Sequence, residues 1–580
     1  MVKSFTLPAT STAFAQATWA DIEPFYAELA ARPISLDTVE AWLADWSRLE
    51  ELLSEAAARA MIAYTVETED VKREADHLRF STEVLPRADE EGVRLARRLL
   101  ELGYTRADLA SMIERFRTQI EIFREENVPL SAQLEELGAR YQKITGGMTV
   151  RWEGREVTLP QLQPHLRSLD RSVRERAFRL LAQPFLEQHQ ELAALFSRMY
   201  HLRQQTAANA GFSDYRDYAF RSKFRFDYTP DDVDRFHQAV EAVVSPAVER
   251  LRKKRRERLQ LPTVRPWDTQ VDPYGKPALK PFRDVRELET ATQRVMQRLD
   301  PVLGRQFEIM MNEKLLDLDT RKGKAPGGYC ETLHESGRPF IFMNAAGTFD
   351  DVMTLCHEAG HAFHAFAAHP LRFIWQRHPG MEAAELASMS MELLAGRYLG
   401  RDTAGFFSPE EMARARVEHL EDILVSLTHI ASVDAFQTWI YTSGEGGDAL
   451  ARDRAWLDIR SRFERGLDWS GLEAERAGRW YRQLHIFLYP FYYIEYGIAQ
   501  LGALQVWRNS LKDERASLDA YRAALALGAT VPLPQIYGAA GAHLIFEPGP
   551  MAELVSLVEE HIDAAERAGR SKDAGVSKAG

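Results

Sequence analysis

Apolar residues recur with a period near 3.6 along most of this chain, and the first clear stripe is Val39, Trp42, Leu43, Trp46, Leu49, Leu52 and Leu53. That spacing predicts one long helix whose tryptophans face a core rather than a ligand. Segments 93–122 and 171–205 repeat the pattern and are rich in Ala, Leu, Glu and Arg, so this half of the chain reads as a helical array. Thr149–Trp152 and Glu156–Leu159 alternate about Glu153-Gly154-Arg155 and predict a small surface hairpin. Thr229-Pro230-Asp231-Asp232 combines an N-cap, a proline at the first helical position and an acid three residues past the cap, which starts a new helix. It ends in the basic run from Arg250 to Arg258, read here as a solvated helix end favoured by the helix dipole. Leu261–Pro281 is a Pro-rich connection, Ser408-Pro409-Glu410-Glu411 caps a helix continuing to Tyr441, and Ile536–Gly541 reads as a turn between helices.

Two short apolar runs break the helical pattern in the middle of the chain. Gly327–Cys330 and Pro339–Asn344 flank a polar loop with His334 and Gly337, a hairpin signature whose second strand leads straight into another helix. Thr348 and Asp351 have capping-box spacing, and the helix they start carries His357-Glu358-Ala359-Gly360-His361. Positions i and i+4 share a helix face, so His357 and His361 present two imidazoles to one cation, with Glu358 beside it to take a proton from an activated water. With 16 His in 580 residues, the five-residue pattern arises by chance with a probability on the order of a few in a hundred, so its surroundings carry the weight. Gly360 costs about 1 kcal/mol relative to Ala in a helix interior and predicts a close approach by a crossing helix or strand. A third ligand is required. Glu385, in the helical sequence Ala384–Glu392, is the first candidate, and Glu382, one turn earlier on the same face, is its rival. Glu392 lies two turns beyond Glu385 and is placed to brace a ligand imidazole through its free N–H.

Met343-Asn344, Gly347–Val352, the His-Glu-x-Gly-His-x-x-His core and Ala384-Glu385-Leu386-Ala387-Ser388 ending in Glu392 together resemble the oligoendopeptidase F family of zinc metallopeptidases, relatives of thimet oligopeptidase. One departure is Met391, where relatives often carry Asn. The resemblance implies one zinc ion held by His357, His361 and Glu385, with Glu358 as general base. It implies a mainly α fold: a large helical two-lobed peptidase with a small β-sheet beside the zinc helix and a central substrate channel that excludes folded proteins. It also implies an edge strand that binds extended peptide. Relatives carry a His followed by a Tyr-rich helix, which matches His485 and the run Tyr492–Tyr496 with one extra residue between them. Tyr496, then Tyr492, then His485 are the candidate donors to the oxyanion, the alternative being an aromatic core with satisfied hydroxyls.

A net charge of -12 argues against nucleic acid as a partner. Two cysteines, Cys330 and Cys356, build no disulfide framework, and Cys356 reads as a buried spectator. The first ten residues lack a signal-peptide core and no later run approaches the roughly eighteen apolar residues of a membrane span, so the expectation is a cytoplasmic protein with no membrane partner. The expected division is 1–195 as an N-terminal helical lobe, 196–570 as the zinc peptidase region and 571–580 as a disordered tail. The sequence sets neither oligomeric state nor cleavage preference. The expected function is a zinc endopeptidase of short peptides. A helical peptide-binding protein with non-catalytic zinc and a metallocarboxypeptidase are the alternatives.

Overall fold

The computed structural model describes residues 6–403 and 405–576. The fold is mainly α. Five strands occur among the described residues: β1 (Thr149–Trp152), β2 (Arg155–Thr158), β3 (Leu316–Asp319), β4 (Tyr329–Leu333) and β5 (Arg338–Ala345). By contacts the chain divides into two compact units, each assembled from three segments. The boundary expected near residue 195 falls inside the helix His189–Asn209, which belongs whole to the second unit.

The first unit comprises Met1–Glu121, Lys280–Met412 and Gly502–Leu544. Its amino-terminal helices join the segment that carries the histidine motif because the tryptophan stripe needs partners far along the chain. Trp42 and Trp46 are 1% exposed, and the Trp46 ring lies 4.4 Å from Trp375 and 5.3 Å from Phe116. The Trp42 indole donates to Leu29 O at 2.9 Å, so burying it leaves no orphan N–H. These rings are core, as the periodicity predicts.

The sheet in this unit has the order β3-β5-β4, with β5 parallel to β3 and antiparallel to β4. The central strand β5 is buried over almost its whole length, as its near-continuous apolar run requires. Lys324 anchors the sheet from one side: its ammonium is 2.8 Å from Asp317 and 4.4 Å from the Phe342 ring centroid.

The second unit comprises Ile122–Leu279, Ala413–Leu501 and Ile545–Gly580. The β1–β2 hairpin belongs to it, paired antiparallel from Thr149↔Thr158 to Trp152↔Arg155. The basic run at 250–258 is not a solvated helix end. Arg250, Lys254 and Arg258 pair with Glu559, Asp563 and Glu566 on the helix Pro548–Val576, a ladder spaced i, i+4 on the basic side and i, i+4 then i, i+3 on the acidic side. Arg255 pairs with Glu421 at 3.0 Å, and Arg252 is buried with its guanidinium on Arg465 O. Charge run and acidic partners are three hundred residues apart in sequence, so periodicity alone missed the pairing.

Two further expectations change. Leu533–Ala539 is a short helix rather than a turn, seated by Ile536 and Tyr537 in the core. The helix Pro409–Thr442 is long and apolar enough, by length and composition, to cross a membrane, contrary to the expectation of no such run; 67% of its apolar window is buried inside the protein, where those side chains are used as core. The terminal helix Pro548–Val576 runs past the start of the expected tail, and residues 577–580 lie outside the described residues.

Candidate functional site

The segment that follows β5 is shaped to launch a helix. Gly347 adopts φ +87, a left-handed turn that favours glycine. Asp351 Oδ2 accepts from Ala346 N at 2.9 Å and Thr348 N at 2.7 Å, while Thr348 Oγ1 accepts from Asp351 N at 3.3 Å. This capping box starts the motif helix Phe349–Ala368. A second helix, Met381–Ala395, crosses it at Gly360. A Cβ on Gly360 would stand 2.6 Å from both Ala387 O and Ser388 Cα, so the glycine is the condition for the crossing. The acidic helix is held there by two hydroxyls, Tyr521 donating to Ala387 O at 2.9 Å and Tyr537 to Glu382 O at 3.0 Å. Gly360→Ala gains about 1 kcal/mol of helix propensity but overpacks the crossing against backbone, at a typical cost of about 1–3 kcal/mol. The expected outcome is a lower Tm, read by calorimetry.

The crossing brings the expected residues together. The His357 and His361 rings are 5.0 Å apart at 82°. Glu385 Oε2 lies 3.3 Å from His357 Nε2 and 3.7 Å from His361 Nε2. Among the described residues, these three form the one group of His, Cys, Asp or Glu side chains whose ligand atoms all fall within 4.8 Å of one another. His357 Nδ1 donates to Glu392 Oε1 at 2.7 Å, which turns Nε2 toward Glu385 and His361. The bracing role expected of Glu392 is therefore met in geometry. Ser388 Oγ, unsuspected from sequence, donates to Glu385 Oε2 at 2.9 Å and orients it. Glu382 is buried outside the group, with its Oε2 folded back over Gly380 at the start of its own helix.

Glu358 stands beside the group but not in it. Burial pushes its carboxyl up to about 7, an effect the His357 charge opposes and Glu385 and Glu392 reinforce. Burial also lowers His361, to about 4, so its imidazole is neutral and a lone pair is free for a cation. For Glu385 burial alone acts upward, but the His361 and His357 imidazoles and the Ser388 hydroxyl overturn it and hold the carboxylate at about 2. Two imidazole nitrogens and one ionised carboxylate are a donor set that fits zinc, and a carboxyl poised near neutrality beside it suits a proton acceptor. Cys356 is fully buried and outside the group. Burial and then the Glu358 charge raise the thiol of Cys330 on β4, a strand that packs against the motif helix. His364, the last histidine of the motif, is buried and held down to about 3 by that burial.

The remaining candidates cluster in the second unit. His485 sits in a short helix, Leu484–Leu488, and the helix Tyr493–Lys512 follows. Between them Phe491 is strained at φ +62; its N–H donates to Gln437 Oε1 at 2.9 Å and its carbonyl accepts from Arg225. Arg225 also pairs with the buried Glu495 at 2.7 Å, pinning the first turn of the tyrosine helix. The His485 ring is 5.8 Å from Tyr492, 6.1 Å from Tyr496 and 4.9 Å from Tyr493, and Tyr492 and Tyr496 are 5.0 Å apart. His485, Tyr492 and Tyr496 are therefore one cluster despite the extra residue in the spacing. Tyr492 precedes the helix rather than lying on it.

Comparison with known proteins gives a consistent result. The family model described as Peptidase family M3 matches residues 165–549. Oligopeptidase PepF of Bacillus subtilis (strain 168) is 24% identical over 286 residues, 48% of this chain and 41% of that protein. The chromosomal oligoendopeptidase F of Lactococcus lactis subsp. cremoris is 24% identical over 242 residues, 40% of this chain and 38% of that protein. The chain thus spans about two fifths of the length of these curated relatives in the matched region. A solved structure of PZ peptidase A with inhibitor 2 superposes with a TM-score of 0.86 at 26% identity, covering 97% of this chain and 99% of that one. Oligoendopeptidase-F from Enterococcus faecium shares the fold at a TM-score of 0.65 and 14% identity, covering 95% and 98%.

Proposed function

Since the chain belongs to peptidase family M3, and within it to the oligoendopeptidase F group, we propose that it is a zinc-dependent endopeptidase that hydrolyses internal bonds of short peptides. The observation that carries this reading is the convergence of His357, His361 and Glu385 beside a buried Glu358 of near-neutral pKa. His357 Nε2, His361 Nε2 and a Glu385 oxygen would hold the ion, and the ion when bound supplies Lewis acidity for the attacking water and the scissile carbonyl. Glu358 removes the proton from that water and passes it to the departing amine nitrogen. Glu392 keeps His357 in the tautomer that offers Nε2, and Ser388 holds the Glu385 carboxylate in register. Tyr496, then Tyr492, then His485 are the proposed donors to the oxyanion, a role that rests on the resemblance to relatives with a His followed by a Tyr-rich helix. The β4 edge presents backbone groups to an extended substrate, consistent with recognition of main chain over side chain. The restriction to oligopeptides is supported by the names of the relatives, and the two free cysteines suit a reducing cytoplasm.

A peptide-binding protein with structural zinc is the weaker reading, because a structural site fills four positions with protein ligands, often Cys, and among the described residues three donors converge here. The discriminating experiment uses an internally quenched peptide with acetylated and amidated ends. The expected result is cleavage that stops with a chelator and returns with zinc. Binding without cleavage would favour the non-enzymatic reading, and cleavage of the free-ended peptide only, at its last bond, would favour a carboxypeptidase.

A further inference from the structure

We propose that Arg460, His429 and Gln483 form a polarity relay that holds His485 as the Nε2–H tautomer, so that this histidine serves as a hydrogen-bond donor and not as a base. Its use in catalysis rests on the peptidase reading above; the tautomer rests on hydrogen-bond chemistry alone.

The relay starts from a group with no choice. A guanidinium has N–H donors and no acceptor. Arg460 Nη1 lies 3.2 Å from His429 Nδ1, so that nitrogen accepts and carries no proton. His429 is neutral, because burial first and the Arg460 charge second hold its pKa down to about 3. In a neutral imidazole the proton is then on Nε2. His429 Nε2–H lies 3.1 Å from the Gln483 side chain and requires its carbonyl, Oε1, at that contact. The orientation of the carboxamide is thereby set, and its NH2 faces the other way. There it donates to His485 Nδ1 at 3.3 Å and to the Tyr493 hydroxyl. His485 Nδ1 is an acceptor, and the proton of the neutral ring is on Nε2.

The source of polarity is locked in place. Arg460 donates to the buried Glu464, which also accepts from Arg476 at 3.2 Å, and to the Ser432 hydroxyl. A cation so enclosed neither leaves nor rotates its donors away. The outcome is an N–H fixed on the nitrogen opposite Gln483, in a ring whose centroid lies 5.8 Å from that of Tyr492 and 6.1 Å from that of Tyr496.

The test is 15N NMR of full-length protein with labelled histidine at neutral pH, the His485 signals being assigned by their loss in His485→Asn. The expected wild-type spectrum has a protonated Nε2 and a bare Nδ1 for His485. Gln483→Glu replaces the donor by a group that only accepts; it is expected to move the proton to Nδ1 and to lower kcat by about 100-fold, the scale of one oxyanion donor, with KM and zinc content unchanged. A wild-type Nδ1–H tautomer overturns the relay, and this reading needs no variant to fold. So does a Gln483→Glu protein with its proton still on Nε2. Reversal of the tautomer with kcat intact upholds the relay and overturns the donor role of His485.

Discussion

Glu358→Gln is expected to lower kcat for an internally quenched peptide by about 10²–10⁴-fold, the contribution of a positioned general base, while zinc stoichiometry stays at one per chain. The two effects separate because Glu358 lies beside the ligand group and outside it. The side chain is 7% exposed, and glutamine fills the same space without the charge that burial disfavours. The folded protein should therefore keep or raise its Tm. Near-normal turnover in Glu358→Gln would remove the proposed base, and loss of zinc would move Glu358 into the ligand set.

Glu385→Ala is expected to abolish zinc binding and activity together, whereas Glu382→Ala keeps both. Glu385 Oε2 is 3.3 and 3.7 Å from the two imidazole nitrogens, and the Glu382 carboxylate turns back to Gly380. Because a ligand that binds only the native state stabilises it in proportion to its saturation, the Tm of the Glu385→Ala protein should no longer rise with added zinc. Glu392→Gln probes the next layer out, and a loss of about 10–100-fold in zinc affinity is the usual effect of removing such a brace. Metal analysis and zinc titration followed by calorimetry check all three. Zinc retained in Glu385→Ala and lost in Glu382→Ala would reassign the third ligand.

Much of the candidate metal site was legible because its determinants are local. Capping at Thr348 and Asp351, the i, i+4 histidines and the Gly360 anomaly all follow from helix geometry, and the close approach they predict is the contact with Ala387 and Ser388. Helix periodicity left Glu385 and Glu382 on one face and the resemblance ranked Glu385 first; the crossing at Gly360 brings Glu385 to the imidazoles. Tyr521 and Tyr537 carried no signal, since a hydroxyl that ends on a carbonyl of another segment leaves no pattern in its own. The basic run at 250–258 was misread for the same reason, its partners standing on the last helix.

By itself the amino-acid sequence determined the helical class, the strand that feeds the motif helix, the two imidazoles on one face and the carboxylate between them, because periods of 2 and 3.6 are properties of neighbouring residues. The tertiary structure decided what depends on distant segments meeting: the amino-terminal tryptophans closing on Trp375, the approach of Glu385 to the two imidazoles, and the chain of hydrogen bonds from Arg460 to His485. Hydrogen bonds and packing act over a few ångströms in space without regard to separation along the chain, so those choices exist only once the helices cross.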